Sequence, residues 1–168
     1  MTSRLDALCF DANDPGRLAR FWADALYWEI HDEIPDEIGV VPTDDTRFRI
    51  RFEPDPNKKT GQNRNHLDLT TTSIDDQNET VRRLVELGAR HIEIGQGLDE
   101  PHVVLADLEG KEFCIIEPTN NFLADCGRLG AINCDGSREA GYFWSAALPS
   151  ALHSHLLVVD QPGGALVR

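Results

Sequence analysis

Apolar residues change their spacing twice within the first fifty positions. Leu5–Phe10 is a short, densely apolar run of strand length. Asp14-Pro15 then supplies an N-cap acid and a proline at the first helical position. After it, Leu18, Phe21, Trp22, Ala25 and Leu26 recur at three- and four-residue spacing, which predicts a helix with one apolar face. Strand character returns at Tyr27–His31, and Asp36–Gly39 turns the chain into Val40-Val41. Thr46–Phe52 alternates strictly: Arg47, Arg49 and Arg51 share one face, and Phe48, Ile50 and Phe52 share the other. The order is βαβββ.

The plan then repeats. Glu53–Arg64 holds two prolines and little apolar content, as a connector does. His66–Thr72 predicts a strand, and Ser73 with Asp76 three residues on gives a loose capping box. Val81, Leu84 and Val85 form an apolar helix face that stops at Gly88. Strands follow at Arg90–Ile94, His102–Asp107 and Glu112–Glu117, separated by turns at Gly95–Gly97 and Glu109-Gly110. The helix segment Phe21-Trp22-Ala-Asp-Ala25-Leu26 returns 122 positions later as Phe143-Trp144-Ser-Ala-Ala147-Leu148. It sits between a strand at Ala131–Asn133 and two weak strands, His155–Asp160 and Ala165–Arg168, joined by the Pro162-Gly163-Gly164 turn. The expected class is therefore α+β. Tandem βαβββ modules lie at about 3–53 and 65–118, a linker at 119–128, and an incomplete third module at 129–168. Trp22 and Trp144, on amphipathic helices, are expected in the core, as are Cys9 and Cys114 within apolar runs.

Composition narrows the class of function. Hydrophobic content of 40% and charged content of 27% describe a soluble globular protein, and no apolar run approaches the length of a membrane span. The start, Met-Thr-Ser-Arg-Leu-Asp, lacks a signal-peptide pattern, so the expected location is the cytoplasm. A net charge of −13 argues against nucleic acid as a partner. The four cysteines show no C-x-x-C spacing, which leaves structural zinc and a disulfide framework unsupported.

Several segments together carry a family likeness. They are the Asp14-Pro15…Leu18…Phe21-Trp22 helix, Asn63-Arg64-Asn65-His66-Leu67-Asp68-Leu69, Leu84–Arg90, and Asp107–Cys114. In this order and spacing the chain resembles the vicinal oxygen chelate superfamily, and within it the glyoxalase-like (bleomycin-resistance-like) domains. The resemblance implies modules paired into a cupped mixed sheet that holds a metal, a small substrate or both, often completed in a dimer. The cofactor stays unknown, with a divalent metal possible: in metal-binding members of the superfamily the ligand positions would fall near Ala7, near Arg49, at His66 and at Cys114. Only His66 is an ordinary ligand there, and Cys114 is chemically able. The glutamate usual in the last strand is absent at 114. Glu112 and Glu117 flank that position, but Glu117 has the opposite strand parity. A catalytic metal needs about three protein ligands. Tyr27 also stands where relatives favour glycine, a position suited to positive φ. The shortened third module leaves an apolar face to be covered by a partner chain or by improvised packing.

The residues also suggest chemistry directly. His66 and Asp68, two apart on one strand, share a face and form a candidate acid/base pair. His102, at the start of a strand, and Arg49, with Arg47 and Arg51 beside it, are candidate ligand-binding groups, as is Cys114. Two functions are expected to compete. One is a protein that binds a small organic molecule in the cup, without a complete catalytic metal site. The alternative is a metal-dependent lyase, isomerase or dioxygenase acting on vicinal oxygens. Either takes a small-molecule partner, no nucleic acid and no membrane, and a homodimer is consistent with both.

Overall fold

The computed structural model describes residues 4–34, 37–92, 101–148 and 156–159. The first module runs β1 (Ala7–Ala12), α1 (Pro15–Leu26), β2 (Glu29–Ile34), β3 (Glu37–Val41) and β4 (Arg49–Pro54). Its sheet has the order β1-β4-β3-β2, with β1 parallel to β4. The second repeats this with β5 (Asn65–Leu69), α2 (Ile74–Glu86), β6 (Arg90–His91), β7 (Val103–Ala106) and β8 (Glu112–Ile115). The third comprises β9 (Leu129–Asp135), α3 (Arg138–Ala147) and β10 (Leu156–Val159), with β10 parallel to β9. The α+β class and the incomplete third module thus follow the expected plan. The turns at Gly95–Gly97 and Pro162–Gly164 and the strand Ala165–Arg168 lie outside the described residues.

Strand pairing decides which modules share a sheet. β5 and β9, the first strands of modules two and three, pair antiparallel and create one six-stranded sheet, β10-β9-β5-β8-β7-β6. Modules one and two instead meet through their buried faces, within a single core containing Trp22, Phe52, Leu84, Leu105 and Phe113. The Trp22 and Phe113 rings meet edge to face at 5.0 Å. Trp22 Nε1–H donates to buried Asp107 Oδ2 at 3.1 Å.

Polar contacts fasten the same junction. The Glu109 carboxylate accepts from the backbone N–H groups of Asn13 and Asp14, each at 2.9 Å, beside the start of α1. At the other end, α1 has no basic residue in its last turn. Arg83 of α2 supplies the charge, donating to the carbonyls of Asp24 and Ala25 at 2.8 and 3.1 Å. Locally α1 begins as predicted, with Asp14 accepting from Arg17 N. It ends at Tyr27, whose φ of 60° and ψ of 35° are left-handed, as the resemblance implied for this position. The Tyr27 ring lies against the guanidinium groups of Arg83 (4.4 Å) and Arg128 (5.4 Å).

Two burial expectations are corrected. Trp144 is 44% exposed and Phe143 63% exposed, whereas their counterparts Trp22 and Phe21 are buried. The sequence segments are similar, but α1 has module two packed across it and, among the described residues, nothing comparable packs across α3. Cys9 is exposed rather than core. The β1 alternation sends Leu8, Phe10 and Ala12 inward, and Cys9, between them, faces the other way.

Candidate functional site

The six-stranded sheet has two chemically different faces. On one, Leu67, Leu69, Leu105, Phe113, Ile115 and Ile132 enter the core. Residues of the opposite parity form the other face, and the register states which of them are neighbours. His66 stands opposite Asn133 of β9. Asp68 is flanked by Ala131 of β9 on one side and by Cys114 of β8 on the other, and Cys114 lies beside Val104 of β7. His66, Asp68, Asn133, Cys114 and Glu112 therefore share one face, at the middle of the sheet.

Segment 119–128, expected as a linker, packs onto one end of this face. Leu123 joins Ile116 and Ala131 in a small apolar cluster against which Cys114 and Cys126 rest. Thr70 anchors the segment, donating from Oγ1 to the Gly127 carbonyl at 2.7 Å and from its backbone N–H to the Arg128 carbonyl at 3.0 Å. Gly130 is required beneath it, because a Cβ there would lie 2.4 Å from Thr70 Cγ2 and 3.2 Å from Leu123 Cδ1.

Asp68, on the same face, is 5% exposed. Its loss of water raises the carboxyl from an ordinary 3.8 to about 7, opposed only in part by a hydrogen bond from the Cys114 thiol. Asp68 Oδ1 and Asn133 Oδ1 are both buried and, among the described residues, have no hydrogen-bond partner. Two unsatisfied oxygens on one buried face are unusual, since such groups are nearly always paired. His66, half-buried, lies next to both.

Glu112 is committed elsewhere. Lys59, reaching over from the connector, donates to Glu112 Oε1, and the Asn63 backbone N–H donates to Oε2 at 3.1 Å. Burial alone would raise the Glu112 carboxyl, but the Lys59 and Asn63 donors outweigh it and hold the group below its ordinary value. The same connector lysine bonds the Gly110 carbonyl at 2.7 Å, so Glu112 belongs to a structural clasp.

The remaining candidates fall apart in space. Arg49 is on β4, paired with Ala7 of β1 in the other sheet, and so does not share a strand ladder with His66. His102 immediately precedes β7 and follows the parity of Val104, which puts it on the polar face but beyond its covered end. Counting strand rises and strand spacings, it is roughly 15 Å from His66, too far for both to act on one atom.

The metal implied by the resemblance is a poor match to these donors. Among the described residues no three His, Cys, Asp or Glu side chains group as a metal would require. The Cys114 thiol is hydrogen-bonded to Asp68, Glu112 is held by Lys59, and the residue facing His66 is a neutral asparagine. Asn133 was missing from the sequence-based candidates. Its only signal was a polar residue in the third module's strand, and its relevance depends on the β5·β9 register. No helix among the described residues is long and apolar enough to cross a membrane.

With the geometry in hand, the likenesses to other proteins can be placed. The family described as Glyoxalase-like domain matches residues 7–116. No curated protein matches the chain. Among solved structures, the chain is similar to a glyoxalase/bleomycin resistance protein/dioxygenase family enzyme from Burkholderia phytofirmans, at 16% identity and a TM-score of 0.56, covering 67% of this chain and 97% of that one. It is similar to the fosfomycin resistance protein FosX from Listeria monocytogenes at 15% identity and TM-score 0.56, covering 71% and 94%. A hypothetical protein from S. aureus gives 15% identity and TM-score 0.55, covering 70% and 94%. Likeness at these identities speaks to the fold.

Proposed function

The chain belongs to the glyoxalase-like domain family, and from that premise we propose that it binds a small organic molecule on the polar face of its six-stranded sheet, without a complete catalytic metal centre. The observation that carries this is the pair of buried oxygens, Asp68 Oδ1 and Asn133 Oδ1, that lack partners beside His66. Leaving each unpaired costs about 1–3 kcal/mol, and a ligand bringing N–H or O–H groups to both recovers that cost. The ligand class is therefore a compact molecule with at least two hydrogen-bond donors.

The metal-dependent alternative draws on the company the fold keeps. A FosX mutant was solved with Mn(II) and 1S,2S-dihydroxypropylphosphonic acid. In the present chain Cys114 is hydrogen-bonded to Asp68 and Glu112 is held by Lys59, which favours metal-independent binding. Should turnover accompany binding, His66 and Asp68 are the pair able to move a proton, and His66→Ala would abolish it while Arg49→Ala would not.

The test is a thermal-shift screen of small polyols, catechols and amides against wild type and Asn133→Leu. Hits that stabilise the wild type and lose at least about tenfold in affinity in Asn133→Leu support the site. Hits indifferent to Asn133→Leu and to Asp68→Ala would refute it. So would stoichiometric retention of Mn(II) or Zn(II) that vanishes in His66→Ala.

A further inference from the structure

Charge on the His66 face is left unbalanced at one residue. β5 brings His66 and Asp68 to this face, β8 brings Glu112 and Cys114, β7 brings Val104, and β9 brings Ala131, Asn133 and, by parity, Asp135. The lysine and arginines of the surrounding segments are engaged elsewhere. Lys59 neutralises Glu112. Arg128 donates to the Thr70 carbonyl at 3.3 Å and to Thr80 Oγ1 at 3.0 Å, and lies 3.8 Å from the Asp76 carboxylate. Arg64 donates to the Asp135 carbonyl at 3.5 Å. Among the described residues none of these, and no histidine, forms an ion pair with Asp68.

Two acids on one face are thus treated differently. Glu112 has its cation from the connector, whereas Asp68 is a buried carboxyl without a counter-charge. Its register neighbours are Ala131 and Cys114, and the hydrogen bond it accepts comes from the Cys114 thiol, a weak donor. A carboxylate held out of water is costly unless an opposite charge stands beside it, and the attraction between the two strengthens as water is excluded. A neutral O–H or N–H reaching Oδ1 would satisfy the oxygen and leave the charge unmatched. A cationic donor answers both.

Placement narrows the kind of cation. Asp68 stands opposite Ala131, and Asn133 lies two residues along the same strand, so the two are diagonal neighbours across β5 and β9, about 7–8 Å apart along the backbone. An amidinium or guanidinium directs N–H bonds outward from two nitrogens in one plane, which suits two acceptors on adjacent strands. An ammonium directs all of its own from one nitrogen. We infer, on the premise that this face is the ligand site, that its ligand carries a planar cation of the amidinium or guanidinium class, donating one N–H to Asp68 Oδ1 and another to Asn133 Oδ1.

Acetamidinium and acetamide make the probe pair, alike in shape and different in charge. Each is titrated at pH 8 into the isotopically labelled full chain, and the Asn133 side-chain amide is followed by NMR. Acetamidinium is expected to shift that signal with a dissociation constant at least about tenfold below that of acetamide. Asp68→Asn, checked for folding by circular dichroism, is expected to bring the two constants within about threefold of each other. Acetamide binding as tightly as acetamidinium to the wild type overturns the cation and leaves the face standing as a site for neutral donors. A preference for acetamidinium that survives in Asp68→Asn also overturns the inference, since attraction to the net charge of −13 then accounts for it. Silence of the Asn133 signal with both probes overturns the site itself, and the inference with it.

Discussion

Asp68 gives the sharpest way to check the physical account of the site. Its carboxyl sits at about 7 in the folded protein against an ordinary 3.8, so the native state holds this proton far more tightly than the unfolded chain does. For an acid shifted upward, the contribution to stability is complete below the unfolded value and disappears as pH rises towards the folded one. The whole shift corresponds to about 4 kcal/mol at 1.36 kcal/mol per pH unit. Between about pH 5 and about pH 8 the linkage relation leaves about 2.5 kcal/mol of that loss. Asp68→Asn keeps the shape and removes the titration. Urea unfolding followed by the fluorescence of buried Trp22 and Trp28 would be run on both proteins at both pH values. The stability of Asp68→Asn relative to wild type should rise by about 2.5 kcal/mol from the lower pH to the higher. Comparing two pH values cancels any fixed packing difference between acid and amide. A relative stability that stays constant within about 0.5 kcal/mol would refute the claim that burial controls this group.

The module junction and the cover over the site make further predictions. Trp22→Phe should destabilise the protein by about 1–3 kcal/mol in the same assay, because buried Asp107 loses one of its donors. Glu109→Ala removes the acceptor for two backbone N–H groups beside α1 and should cost about 1–2 kcal/mol, with faster amide exchange at Asn13 and Asp14. Gly130→Ala forces Thr70 and Leu123 apart and should cost about 1–3 kcal/mol, lowering the midpoint of thermal unfolding. Deleting the Leu123 side chain with Leu123→Ala should both destabilise the protein and lower the Asp68 pKa, read by carboxyl-carbon NMR, since water then reaches the carboxylate.

Much of the fold was legible because each module announces itself locally. Asp14-Pro15 and Ser73 act as caps where the sequence predicts, the helices carry their apolar faces at the expected spacing, and the arginines of β4 alternate with core residues. His66 and Asp68 could be paired by parity alone. Parity cannot say which strand lies alongside, so Asn133, sixty-odd residues downstream, stayed hidden until β5·β9 was seen. The same limit explains Trp144: a helix shows which face is apolar, not whether anything arrives to cover it. Glu112 read as a stray acid near a ligand position because Lys59 lies in a connector whose path local sequence does not determine.

The pairing of β5 with β9 has a consequence for inheritance as well as for shape. The family match ends at residue 116, yet Asn133, which carries one of the two unsatisfied oxygens, and Leu123, which packs on Ala131 beside Asp68, lie beyond it. Half of the proposed binding face is thus written in a stretch beyond the family match. Such a stretch can vary in sequence without altering the segment that carries the family match. Proteins sharing the same domain but carrying different sequence at this position would keep the His66 strand and change what it meets, so that specificity would evolve by replacing one wall while the other stands.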